Sequence, residues 1–410
     1  MKTIIIHGDG MAGLPSVESN NKTPLQLAAT PTLDLMATQG EYGTVKPLAD
    51  AQMFAGDVMH LALLGYDPKK YYSGPGPFVG AGLDVVLGPQ DVAFICSLVT
   101  LGVSQGRGDG KKIAGQVVLE DDTGGGVSTE EARELIDAVN EQLGSEAIQF
   151  YAGTGHRHLM VWVGGIGRMV CHDPHFVVGQ EVGHFLPSGE GAEIINEMME
   201  AARIILRTHP VNEERESAGL KPANGLWIWG PGKSVELPSL KERIGVTGVT
   251  ISRSDLHLGI SRCAGMACVN VDGGDGSTDQ GLGTYAEEAM KLCQQAPLVY
   301  VHVQEQADPV DSYLKEKIKR VESFDQEVIA PVLKGLRGSG DYRLLVVCNH
   351  WAGGSDGTVG VHTPYALIES GKSQEKAAPV QFSELQASEA PNGAKDANRF
   401  LERWFPRASR

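Results

Sequence analysis

A chain of 410 residues with 41% hydrophobic and 21% charged residues has the composition of a globular protein, and it exceeds what one hydrophobic core usually serves, so two domains are expected. Acidic residues outnumber Lys and Arg by 51 to 35, a net charge of −16, which argues against a nucleic acid or an anionic membrane as partner and leaves room for a local basic pocket. Only Ile4-Ile5-Ile6 form an apolar run near the start and no later run approaches a membrane span, so a cytoplasmic location is expected. Six scattered cysteines without a CxxC pair read as buried thiols in a reducing compartment, not as a disulfide framework or a zinc-cysteine site.

Taken in order, Thr3 to Ile6 predicts a buried strand that stops at the turn His7-Gly8-Asp9-Gly10, leaving Asp9 at the carboxyl end of a sheet strand. Lys22-Thr23-Pro24-Leu25 opens one helix and Thr30 to Met36 another, each with an early proline. Ala51 to Asp67 contains a small-residue turn, Ala55-Gly56-Asp57, followed by an apolar helix that stops near Gly65, so the turn would present a side chain where strand-to-helix loops carry chemistry. Gly74 to Gly88 is glycine-rich and predicted to be a loop; Asp91 to Thr100 is a strand, and Gly106 to Gly110 a polar turn.

Gly124-Gly125-Gly126 feeds a helix capped by Ser128 and running to Leu143. Strands at Ile148–Tyr151 and His158–Val163, a long helix over Glu193–Leu206 and a strand at Leu226–Trp229 form an alternating module. Beyond a boundary near Pro238 to Arg243, Val246–Ser252, Leu298–Val303 and Arg343–Val347 are predicted strands, the last ending at Cys348-Asn349-His350. Thr284–Gln295 and Leu314–Leu336 are predicted helices, and Glu369 to Ala394 is predicted to loop before a short terminal helix.

Several ordered segments carry a family likeness: Asp9-Gly10-Met11-Ala12, Lys22-Thr23-Pro24-Leu25, Leu61 to Pro68, Ser128 to Arg133, Arg157 to Trp162, His209-Pro210-Val211-Asn212, Trp227-Ile228-Trp229-Gly230 and Val301-His302-Val303. Together they resemble the archaeal-type cofactor-independent phosphoglycerate mutases of the alkaline phosphatase superfamily. The resemblance implies an α/β fold: an alkaline-phosphatase-like three-layer domain formed from both chain ends (1–110 and 243–410), with a smaller α/β domain inserted at 111–242. It also implies phosphoryl transfer through a serine and two divalent cations held by Asp and His, which lower the nucleophile's pKa and offset charge.

The positions that carry this chemistry depart from the family. Its phosphorylated serine is Gly56 here, so that no nucleophile stands at the apex. Asp9 matches the first metal aspartate, but the family's Asp-His pair is Asn349-His350, and the ligand segment after Val301-His302-Val303 is replaced by Gln304 to Asp311. Three substrate cations are Pro75, Ile95 and Leu258, whereas Arg157 and Arg262 remain.

The candidate site residues are therefore Asp9 and His350 for one divalent cation, manganese or zinc, with Asn349 and His362 as further positions and Asp308 or Asp311 as possible replacements. The plain alternative for Asp9 is a turn carboxylate, and for His350 a hydrogen-bonded strand-end histidine. Asp57 is either a substitute carboxylate nucleophile or the cap of its helix. His156-Arg157-His158 forms a candidate phosphate or carboxylate corner, joined by Arg262, with a surface ion pair as the alternative. His172-Asp173-Pro174-His175, with His184, has a weak metal-like spacing, and the glycine runs at 273–276 and 353–357 read as turns. The expected function is a family member without mutase activity that binds a small phosphorylated or carboxylated ligand or a protein partner. The alternatives are a metal-dependent phosphohydrolase or phosphotransferase, or retained mutase activity.

Overall fold

The computed structural model describes residues 1–15, 19–47, 56–104, 116–271, 281–304, 313–350, 363–372, 378–391 and 393–406, with the side chains of residues 313 and 350 outside the description. The strands are β1 Lys2–Ala12, β2 Glu41–Lys46, β3 Val92–Val103, β4 Val117–Asp121, β5 Ile148–Tyr151, β6 Arg157–Trp162, β7 Met169–Val170, β8 Ser188–Gly189, β9 Gly225–Lys233, β10 Gly248–Ser252, β11 Ala267–Asn270, β12 Leu298–Gln304, β13 Tyr342–His350, β14 Thr363–Glu369 and β15 Ala394–Asp396. Internal contacts divide the chain into one unit made of Met1–Tyr72 and Glu236–Arg410 and a second made of Ser73–Val235. These limits differ from the expected boundaries at 110 and 242. The reason for the first difference is β3, which pairs with β4, β6 and β9 and so belongs to the second unit.

The first unit is built on an eight-stranded sheet in the order β11-β10-β12-β1-β13-β14-β2-β15. Its centre is parallel, β1 lying between β12 and β13, and β14 runs antiparallel to both neighbours. A parallel centre needs both faces covered, and the two faces differ in chemistry. Side chains alternate along a strand, so Ile4 and Ile6, Val299, Val301 and Val303, Val249 and Ile251, and Leu344 and Val346 all enter one apolar core with Phe324, Val328 and Val332. The opposite face holds His7 and Asp9, Tyr300 and His302, and Thr250 and Ser252, all buried.

β1 does not stop at Ile6 as expected. Its backbone goes on pairing with β12 through His7↔His302 and Asp9↔Gln304, and on the β13 side the register shifts between Gly8 and Ala12. Gly10 takes up that irregularity at φ +83°, a region that favours glycine.

The predicted Leu314–Leu336 helix is interrupted by a wider turn at Phe324–Ile329 between the Tyr313–Ser323 and Ala330–Arg337 helices. Pro331 follows it, and a proline ring cannot sit against the carbonyl four residues back in a regular helix. Asp325 in this turn caps a different helix, accepting N–H bonds from Thr32 at 3.0 Å and Leu33 at 2.8 Å. The Pro31–Gln39 helix has no side-chain cap of its own.

The second unit has a sheet in the order β4-β3-β6-β5 with β9 on β3, and its core joins Phe94, Cys96, Ile136, Met160, Ile195 and Trp227. Its Thr129–Leu143 helix starts where expected, with a capping box between Ser128 and Glu131. The segment expected as a loop at Gly74–Gly88 instead contains the helix Gly76–Gly82, because glycine allows it to lie against β3: a Cβ on Gly76 would meet the Ala93 carbonyl oxygen at 2.2 Å. The tail supplies the short helices Glu384–Ser388 and Arg399–Trp404 and, unexpectedly, β15, which pairs with β2.

Of the six cysteines, expected as buried thiols, Cys96, Cys293 and Cys348 are buried and the other three half-buried, and all are free. Among the described residues no helix is long and apolar enough to cross a membrane. The expected turns at 106–110, 273–276 and 353–357 lie outside the described residues.

Candidate active site

The polar face of the first sheet, covered by the Gly56–Leu63 and Asp255–Cys263 helices, forms the candidate site. The β1 irregularity turns the Gly10 N–H toward Asn349, whose Oδ1 accepts it at 3.1 Å. That bond fixes the amide orientation, so Asn349 Nδ2 donates to Asp9 Oδ1 at 2.7 Å. The other carboxylate oxygen, Oδ2, stands 3.4 Å from His302 Nε2 and 3.9 Å from His257 Nε2.

His7, the register partner of His302, lies on the same face, and its Nδ1 bonds the Tyr300 hydroxyl at 2.8 Å. Its Nε2 is buried and makes no hydrogen bond among the described residues. One ring nitrogen from each of His7, His257 and His302 lies within 4.8 Å of the others. His302 and His257 stack with centroids 3.4 Å apart, and His60 stacks on Tyr300 at 4.0 Å. Burial lowers the His7 pKa to about 3 and drives that of His60 well below its ordinary value, so both rings are neutral near pH 7. Burial, with the Asp9 charge, keeps the Tyr300 hydroxyl protonated.

Gly56 begins its helix directly against Asp9. A Cβ built there would lie 2.2 Å from Asp9 Oδ2 and 2.5 Å from its Cγ, so the carboxylate fills the space a side chain would enter. Asp57 has both oxygens engaged: Oδ1 accepts the Val58 N–H at 2.8 Å, and Oδ2 accepts the Tyr72 hydroxyl. Burial raises its pKa to about 6. The helix begins at Gly56, one residue before Asp57, so Asp57 lies inside the first turn, where its carboxylate accepts one hydrogen bond on each oxygen.

The candidate residues thus separate. Asp9 and Asn349 meet, and His7, His257 and His302 join them, although the sequence reading did not select these three as ligands. The side chain of His350 and residues His362, Asp308 and Asp311 lie outside the described residues. Arg262 is half-buried in the last turn of the Asp255–Cys263 helix. Two cations of the kind the family resemblance implies do not fit the described set, because position 56 has no oxygen and an amide replaces the carboxylate at 349.

Arg157 and His158 lie in the second unit, and His158 does not behave as an anion-binding group. It is buried, its Nδ1 accepts the Gly153 N–H at 3.0 Å, and burial lowers its pKa to about 3. A strand places its neighbour Arg157 on the opposite face, where its charge helps lower the Asp122 pKa alongside the closer His175. His175 Nδ1 lies 3.0 Å from Asp122 Oδ2, His172 Nδ1 lies 3.0 Å from the Phe185 carbonyl, and the His184 side chain is 81% exposed, so the metal-like spacing gathers no site.

The mixed α/β sheet and its polar strand ends define a protein of the alkaline-phosphatase-like fold class. Comparison with known proteins narrows this. A family model described as 2,3-bisphosphoglycerate-independent phosphoglycerate mutase matches residues 37–212. A probable mutase of that description from Geobacter sulfurreducens is 36% identical over 412 residues, covering 99% of this chain and 100% of the relative. A mutase from Methanosarcina barkeri is 35% identical over 353 residues, 85% of each chain. Among solved structures, the cofactor-independent phosphoglycerate mutase of Thermoplasma acidophilum superposes with a TM-score of 0.54 at 26% identity over 98% of both chains. A Pyrococcus horikoshii protein gives 0.66 at 23% identity, covering 100% of this chain and 98% of its own, which shows the fold alone. The chain belongs to the 2,3-bisphosphoglycerate-independent phosphoglycerate mutase family.

Proposed function

We propose that this chain has lost mutase chemistry and acts as a binding, assembly or regulatory member of the family, taking a small phosphorylated or carboxylated ligand or a protein partner. The observation that carries this reading is the Gly56–Asp9 contact. The nucleophile position lacks an oxygen, and the carboxylate that would help activate one occupies its space. Asp57 is a poor substitute, being hydrogen-bonded on both oxygens and half-protonated near pH 6. Incubation with phosphoglycerate and manganese, followed by intact-mass measurement, tests it: no covalent phosphoryl adduct is expected, and a stoichiometric adduct on any side chain would overturn it.

A second reading, a metal-dependent phosphohydrolase or phosphotransferase with altered chemistry, is favoured by the gathering of imidazoles around Asp9. The cation implied is a single manganese or zinc ion, which would supply Lewis acidity. Asp9 and the histidines would hold it, and the closed face of the sheet would exclude bulk water. Metal-dependent release of inorganic phosphate from a small phosphomonoester is its test, and none from metal-loaded protein counts against it.

A further inference from the structure

We propose that the outer face of the Ala192–Arg207 helix, in the second unit, is a docking surface for a second copy of this chain, the two helices packing antiparallel across a two-fold axis. The first observation is an apolar face wider than the core uses. Ala192, Ile195, Met199, Ala202 and Leu206 form one stripe buried in the core of the unit. A helix lying on one layer needs only such a stripe, with polar residues elsewhere. Outside it, Ile194 is 41% exposed and Ile204 66%, and Met198, Ala201 and Ile205 beside them are half-buried. Single exposed apolar side chains are ordinary, but these are ordered: Ile194, Glu197, Ala201 and Ile204 follow the alternating three- and four-residue spacing of a helix–helix seam.

The second observation is the charge order, which selects both the occupant and its direction. Glu193, Glu197 and Glu200 lie in the first part of the helix, and Arg203 and Arg207 in the last turns. Glu193, Glu200 and Arg207 share one edge of the seam, because they repeat at heptad spacing. An antiparallel two-fold brings that edge against itself, so Glu193 faces Arg207 of the second copy and each such pair occurs twice. The same register sets Ile194 against Ile204 and, on the other edge, Met198 against Ile205. Parallel pairing would instead oppose Glu193 to Glu193 and Arg207 to Arg207. Glu200 meets its own copy at the axis, where Arg203, 3.5 Å from its carboxylate, offsets the like charges. Glu197 lies opposite Ala201, whose small side chain leaves room for it to reach water. One helix pair about 24 Å long is a small interface, so association is expected in the micromolar range.

This surface goes beyond the chemistry proposed at Gly56 and holds or fails independently of it. Sedimentation equilibrium of the full-length protein should show a reversible monomer–dimer equilibrium. Ile204→Glu, at an exposed position and therefore compatible with folding, should weaken dimerisation roughly 100-fold. Glu193→Arg and Arg207→Glu should each weaken it roughly 5–30-fold. An equimolar mixture of those two variants should recover the wild-type affinity, because the mixed dimer regains both opposite-charge pairs. Protein that stays monomeric at about 100 micromolar would overturn the proposal. So would a dimer indifferent to Ile204→Glu, whose interface would lie elsewhere, or a mixture no tighter than either charge variant alone.

Discussion

The carboxylate of Asp9 lies where a side chain on residue 56 would have to go: a Cβ there would be 2.2 Å from Asp9 Oδ2, well inside any observed contact. Asp9 is not free to yield, since Asn349 donates to its other oxygen at 2.7 Å and Asn349 is in turn fixed by the Gly10 N–H. On the proposed reading Gly56→Ser should therefore show no mutase activity, and it should destabilise the protein by about 1–3 kcal/mol, the usual range for overpacking. Urea unfolding checks the stability. A Gly56→Ser, Asp9→Ala double variant should be more stable than the sum of the single losses allows, by roughly 0.5 kcal/mol or more. Strict additivity would show that the two residues do not compete for space.

Asp57 gives a pH signature of known sign. Its folded pKa, about 6 against an ordinary 3.8, is raised chiefly by burial, so the folded state holds the proton longer than the unfolded state. Stability contributed at this position falls as pH rises from near 4 through 6 and then levels off. Asp57→Asn should remove that fall; between pH 5 and 7 the stability gap between variant and wild type should widen by roughly 1 kcal/mol in the variant's favour. Urea midpoints at the two pH values check this, and a constant gap would show that Asp57 is ionised throughout.

His158 acts in the opposite direction. Burial lowers its pKa to about 3, so the unfolded chain binds a proton below pH 6.5 that the folded chain refuses. Stability from this residue is present at neutral pH and is lost as pH falls through the window from 6.5 toward 3. His158→Asn keeps an acceptor for the Gly153 N–H without the titration. Between pH 7 and 5 the wild type should lose about 2 kcal/mol more than the variant. Equal acid sensitivity would place the titrating group elsewhere.

How much of this was legible in the sequence depended on the range of the interaction. Capped helices and apolar strands follow from neighbours a few residues apart, so the Ser128 capping box and the Leu298–Gln304 strand fall where expected. Gly56 and Asn349 were also visible, because a missing oxygen and a missing charge need no geometry. The histidine group was not, because His7, His257 and His302 come from three distant segments and meet only through the pairing of β1 with β12 and the helix after β10. A signal did exist in the alternation Val299-Tyr300-Val301-His302-Val303 and Val249-Thr250-Ile251-Ser252, which puts polar groups on one face of adjacent strands. The adjacency of Arg157 and His158 in sequence does not carry over to the fold, because strand alternation sends the two side chains to opposite faces.

The proposed loss of mutase chemistry is tested most directly by phosphorus NMR of the purified full-length protein mixed with 3-phosphoglycerate, with manganese or zinc added. The account predicts that the spectrum stays that of the added isomer, without 2-phosphoglycerate. Metal-dependent growth of the 2-phosphoglycerate signal to its equilibrium share would contradict it.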